Sequence, residues 1–214
     1  MKRTLLFGAL IAGMVFSAQA HEVWIERDGA GPVRVYFGEP AQEELDHGQD
    51  EIKRIVKPDL FGAKSKAGAL TREGDHLSAP LKDSGDAWLA DAKVFEPWKG
   101  EDGRFEAVSY YARAGRQDTQ GRLDFELVPR AAQGREFTLQ FRNKPLADAE
   151  VTVINADKWT REVKSDASGR VVLPKLAAGR YIVVASHKEA VDTKIGSQRV
   201  AVMHHITTLT FKAE

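Results

Sequence analysis

The chain has 214 residues, 31 basic against 31 acidic side chains, six histidines and no cysteine. That balance excludes the basic footprint of a nucleic-acid-binding protein, and it gives no reason to expect attraction to an anionic membrane surface. Without cysteine there is neither a disulfide nor a thiolate to hold a metal, so stability rests on the core and any metal site must use nitrogen and oxygen donors.

The chain opens with Met1-Lys2-Arg3, an apolar run from Leu5 to Phe16, and Ala18-Gln19-Ala20. This is the pattern of a cleavable signal peptide over 1–20, with the cut after Ala20. It predicts a bacterial periplasmic protein. No other stretch approaches the ~20 apolar residues needed to span a bilayer, so the mature chain is not expected to be membrane-embedded. The signal carries Lys2, Arg3, Met1 and Met14 away, which leaves a mature charge near −2 and Met203 as the single methionine. A methionine-rich Cu(I) site is thereby excluded.

His21 then becomes the first mature residue. A histidine at a free N-terminus offers an α-amine and an imidazole, both of which lose protons near neutral pH. Together they close a chelate ring that no internal histidine can form.

Residues 21–130 read as one β-rich domain and 131–214 as a second, each an antiparallel β-sandwich, with little helix in the chain. In the first, His21 to Arg27 and Pro32 to Phe37 read as strands. Glu43 to Val56 is polar and reads as a short helix broken at Gly48 or as an exposed loop. Asp59 to Ser78 has no clear period. Trp88 to Phe95 and Arg104 to Arg113 are strands joined by a turn-rich Pro97-to-Gly103 segment. Arg122 to Val128 is another strand, and Pro129 to Gly134 reads as the linker.

The second domain is clearer. Phe137, Leu139 and Phe141 alternate with Thr138, Gln140 and Arg142, the pattern of a half-buried strand over Glu136 to Arg142. Turns are expected at 143–146, 166–169 and 178–179, with strands at 150–155, 161–164, 170–173 and 181–186. Arg199 to Lys212 reads as one long strand, or as two meeting at His204-His205. Turn signals at this spacing indicate a small antiparallel sandwich.

Strand parity singles out two late histidines. His187 follows Tyr181, Val183 and Ala185 on one face, and His205 shares a face with Met203, Thr207, Leu209 and Phe211. If the two strands pair or face each other, both imidazoles converge where the core gives way to solvent. His21 would complete a three- or four-nitrogen set, which favours Cu(II), Ni(II) or Zn(II), with Co(II) also suited to nitrogen and oxygen donors. The competing reading for each is an imidazole packed at a sheet rim. His204 falls on the opposite face, unless a bulge at 204–205 exchanges the two. His47, in an acid-rich stretch, and His76 read as solvated histidines. Trp24, Trp88, Trp98, Tyr110 and Tyr111 read as core or rim packing, with a sugar platform as the alternative reading for Trp98, which falls in a turn.

The start His21-Glu22-Val23-Trp24-Ile25-Glu26 resembles the opening of bacterial exported proteins grouped as domain of unknown function 4198. The segment Asn143-Lys144-Pro145-Leu146, the turn Asp166-Ala167-Ser168-Gly169, the strand Gly179-Arg180-Tyr181 to His187 and the close His205 to Phe211 are similar to that family as well. Residues 143–186 also resemble transthyretin-like and carboxypeptidase-regulatory-like modules. The resemblance implies a β-sandwich, a periplasmic location and a part in nickel or cobalt uptake, with His21, His187 and His205 as metal ligands and a membrane metal importer as partner.

Three functions follow from these residues. The first is non-enzymatic capture of a divalent transition metal. The second is a structural or adhesion-type module without metal. The third is a copper oxidase built on a histidine brace, in which the N-terminal histidine is one arm. No serine-hydrolase, phosphate-loop or zinc-protease motif is present.

Overall fold

The computed structural model describes residues 21–42 and 51–214. The expected signal peptide and the acid-rich stretch with His47 lie outside the described residues. The chain is all-β, as expected. The strands are β1 (Glu22–Glu26), β2 (Val33–Gly38), β3 (Asp59–Gly62), β4 (Thr71–Glu73), β5 (His76–Ala79), β6 (Ala87–Asp91), β7 (Trp98–Lys99) and β8 (Phe105–Ala114). They continue as β9 (Phe125–Pro129), β10 (Glu136–Phe141), β11 (Lys144–Pro145), β12 (Glu150–Ile154), β13 (Thr160–Lys164), β14 (Arg170–Val172), β15 (Gly179–Ile195) and β16 (Gln198–Ala213). A single 3-10 turn at Ile52–Arg54 is the only helical segment among the described residues. No helix among them is long and apolar enough to cross a membrane.

The strands form a large central sheet in the order β13-β12-β15-β16-β8-β6-β3, with β7 attached to β8. A small sheet, β1-β2-β5-β4, and a second, β11-β10-β14 with β9 against β10, complete the set. Each small sheet covers one face of the central one. On the first face, Val23, Ile25, Val33, Val35, Leu77 and Ala79 pack against Leu89, Val108, Tyr110, Ala112 and Ile206. On the second, Phe125, Leu127, Phe137, Leu139 and Val171 pack against Val151, Val183, Leu209 and Phe211. The period-2 alternation of β10 and β15 puts these side chains inward, and each large one buried is worth ~1.5–3 kcal/mol.

The two cores share their middle layer, and each crosses the expected boundary at 130/131: the first takes in Ile206, the second Phe125 and Leu127. The turn expected as a linker joins β9 to β10, which pair antiparallel from Phe125↔Phe141 to Pro129↔Phe137. In addition, β16 runs parallel to β8 from Val200↔Phe105 to Thr210↔Ala114. This is the one parallel pair among the described strands. Alternation within a strand says which side chains face inward but not which distant strand lies beside it, so this pairing had no signature in the sequence. The unpatterned stretch 59–78 holds β3, β4 and β5, which are only three or four residues long, and β4 is exposed throughout. No periodicity can develop over such lengths.

Candidate functional site

The β15–β16 hairpin positions the late histidines. Its register is unbroken from Gly179↔Ala213 to Ala190↔Val202, and the irregularity falls between Ala190 and Thr193. The faces at 204–205 are therefore not exchanged. His187 lies directly opposite His205, and Lys188 opposite His204. Parity then sends His187 and His205 to the face of Val183 and Leu209, and sends Lys188 and His204 to the face of Ile206.

On the first of these faces the two imidazoles stack, with centroids 6.3 Å apart and planes at 25°. The Phe141 ring closes over both, 4.9 Å from His187 and 4.7 Å from His205. His205 is buried, and its Nε2 lies 3.2 Å from Glu189 Oε2. Arg142 grips the same carboxylate with two donors at 2.6 and 2.9 Å. That bidentate pair holds the Glu189 carboxyl below its ordinary range, with the His205 hydrogen bond adding to it. Burial pushes the His205 imidazole down, which favours its neutral form. With Nε2–H donating to Glu189, Nδ1 carries the bare lone pair, and it has no hydrogen-bond partner.

On the other face lies a cleft of about 790 Å³. His21, at the entry to β1, forms one wall. Its ring stacks on Phe37 at 5.4 Å, and its Nε2 stands 3.0 Å from Glu51 Oε2. Across the cleft, His204 Nε2 meets Glu106 Oε2 at 2.6 Å, and Trp98 lies 5.6 Å from the His204 ring. Glu106 is placed by β8, where it sits beside Val202 of β16 and shares a face with Val108 and His204. Phe95, Val108, Tyr110 and Ile206 supply an apolar floor, with Lys188 lining the side. Charge accumulates here at some cost. Burial, with Glu39 adding to it, pushes the Glu22 carboxyl up to about 8. The Tyr110 hydroxyl is also pushed up, first by burial and then by Glu22 and Glu51.

The structure thus divides the expected trio. His187 and His205 are brought together, while His21 stands with His204 in the cleft on the opposite face. A regular β16 puts adjacent residues on opposite sides of the sheet, so His21 and His205 face different small sheets. His76 lies apart, 2.9 Å from Asp75 and in ring contact with Tyr36. Trp24 and Trp88 are core residues, and Trp98 is 37% exposed at the cleft. Glu51, Glu106, Glu189 and Arg142 were not anticipated. Glu106 is 98 residues from His204, and no spacing rule reaches that far.

Among the described residues, no three His, Asp or Glu side chains are gathered in a metal-ligating arrangement. What each location offers is a histidine held through one ring nitrogen by a carboxylate. That is the usual outer-shell partner of a metal-bound imidazole, whose other nitrogen faces the ion. The donors are nitrogen and oxygen, which fits the borderline divalent metals and not Cu(I). No protein-family model, curated protein or solved structure matches the chain.

Proposed function

We propose that this protein captures a divalent transition metal (Ni, Co, Cu or Zn) in the His21–His204 cleft and supports its uptake across the envelope by passing it to a membrane importer. The observation that carries this reading is the pair of histidine–carboxylate contacts, His21 with Glu51 and His204 with Glu106, lining one cleft. Removal of residues 1–20 as a signal peptide would add the α-amine of His21. That amine is a donor outside the side-chain set, and it raises the nitrogen count at the cleft. Glu106 and Glu51 would orient the imidazoles and offset the charge of the ion. The reading includes no catalytic step, and a periplasmic location goes with it.

The test is calorimetric titration of Ni(II), Co(II), Cu(II) and Zn(II) into protein beginning at His21. A form with one extra residue before His21, His204→Ala and His187→Ala serve as comparisons. One-to-one binding that the extension and His204→Ala abolish, and that His187→Ala retains, is the expected result. Binding should also weaken as the pH falls toward 5, because nitrogen ligands must be deprotonated. Binding indifferent to the extension and to His204→Ala would overturn the assignment.

A second location is favoured by the unpartnered Nδ1 of His205 beside His187. In that case His187→Ala abolishes binding, and His204→Ala leaves it intact.

A further inference from the structure

We propose that the cleft takes its metal already wrapped in a small organic anion, and that Lys188 receives a carboxylate of that chelator. The inference rests on the metal-capture reading above and specifies its cargo.

The first argument is size. A water molecule occupies about 30 Å³ of liquid, so an ion with a full inner shell of six waters needs on the order of 200 Å³. The cleft holds about 790 Å³, which falls within the range of sites that enclose organic ligands. The second is its lining. Phe95, Trp98, Val108, Tyr110 and Ile206 give it an apolar floor and wall. A hydrated dication gains nothing from such surface and loses hydration against it, whereas the carbon skeleton of a chelator gains from covering it.

The third argument is charge. Lys188 lies directly across from His204 in the β15–β16 ladder and lines the same cleft. Among the described residues its ammonium has no ion-pair or hydrogen-bond partner. Of the carboxylates lining the cleft, Glu106 meets His204 and Asp102 pairs with Arg104 at 2.6 Å, while Glu101 is exposed in the turn after β7 and makes no ion pair with Lys188. The other lysine of the cleft, Lys99, rests its Nζ 6.0 Å from the centre of the Phe105 ring. An ammonium beside a bare dication is repulsive, and would weaken capture of a naked ion. A carboxylate bound to the metal and reaching Lys188 satisfies both cations. Trp98, tilted over His204 and partly exposed, then covers the organic face of the complex.

The experiment is equilibrium dialysis of protein beginning at His21 against labelled citrate, with and without one equivalent of Ni(II), using nickel chloride alone as reference. Citrate is the probe because it is a small polycarboxylate chelator. The expected result is one citrate and one nickel retained per protein, with citrate retention falling at least ten-fold when nickel is omitted. Lys188→Met should lower citrate retention at least ten-fold and leave retention of nickel from nickel chloride unchanged or improved. Lys188 is exposed, so this variant does not disturb the core. Nickel retained equally well with and without citrate overturns the chelate proposal and leaves metal capture standing. So does citrate retention that Lys188→Met does not change. Retention of neither species overturns both.

Discussion

Glu126 has no exposed surface and its carboxylate is fully committed. Oε1 accepts from Trp88 Nε1 at 2.9 Å and from Arg113 Nη1 at 2.7 Å. Oε2 accepts the backbone N–H groups of Arg122 and Leu123 at 2.6 and 2.9 Å. Arg113 is itself 1% exposed, and its other arm reaches Asp86 at 2.6 Å and the carbonyl of Asp118. Its guanidinium also lies over the Trp88 ring. This network ties β6, β8 and β9 together beneath the second small sheet. Glu126→Gln keeps the shape and removes one acceptor. Whichever way the amide turns, its NH2 faces two donors, Trp88 and Arg113 or the backbone N–H groups of Arg122 and Leu123, and leaves both without their acceptor, while Arg113 loses half of its counter-charge. Breaking a buried ion pair of this kind costs about 3–5 kcal/mol, and unpaired buried donors cost ~1–3 kcal/mol each by themselves. At about 2–4 °C per kcal/mol for a domain of this size, the melting temperature should fall by roughly 6–20 °C. The assay is thermal melting by circular dichroism, with urea unfolding to verify an unchanged m-value. A variant melting within about 2 °C of the parent would refute the claim that this network carries such weight.

Two further outcomes are expected. Asp28 accepts from Arg34 and Lys212, both at 2.7 Å, and from Arg180 at 2.9 Å. These contacts, Arg34 foremost, hold its carboxyl well below the ordinary range. A depressed folded-state pKa gives stability that is present above the unfolded value near 4 and is lost as the pH falls through the folded one. Asp28→Asn should therefore flatten the acid side of the melting profile, modestly, because the site is 39% exposed and screened by salt. Parallel profiles for the two proteins below pH 4 would sink this reading. Gly169, in the turn before β14, has φ +71°, and a Cβ there would sit 2.8 Å from the Leu139 carbonyl and 2.9 Å from Pro145 Cβ. Gly74 has φ +61° with open space around it. Gly169→Ala should thus cost clearly more than Gly74→Ala, whose penalty is limited to about 1 kcal/mol for the backbone conformation. Equal losses in urea unfolding would show that the contacts around Gly169 yield.

The local alternation of this chain was legible and its long-range pairing was not. Phe137 and Leu139 marked β10 correctly, and the parity of Val183, Ala185 and His187 against His205, Thr207 and Leu209 correctly put two imidazoles on one face. Both inferences use only the two-residue repeat of an extended chain. Placing His21 required more, namely which face of the central sheet β1 covers, and that is decided by packing between elements far apart in sequence. The carboxylates were hidden for the same reason. Glu106 reaches His204 only because β8 and β16 lie side by side. Glu189 was within local reach, two residues after His187 on the same face, and parity alone would have found it.

The position of β16 has a kinetic consequence. It lies between β15 and β8, and its parallel partner is roughly a hundred residues earlier in the chain, a separation that makes for slow closure. Ile206 belongs to one core, and Leu209 and Phe211 to the other. Before this strand arrives, β8 presents an open edge and neither core is complete. Completion of either core therefore requires β16, and this shared strand couples the two.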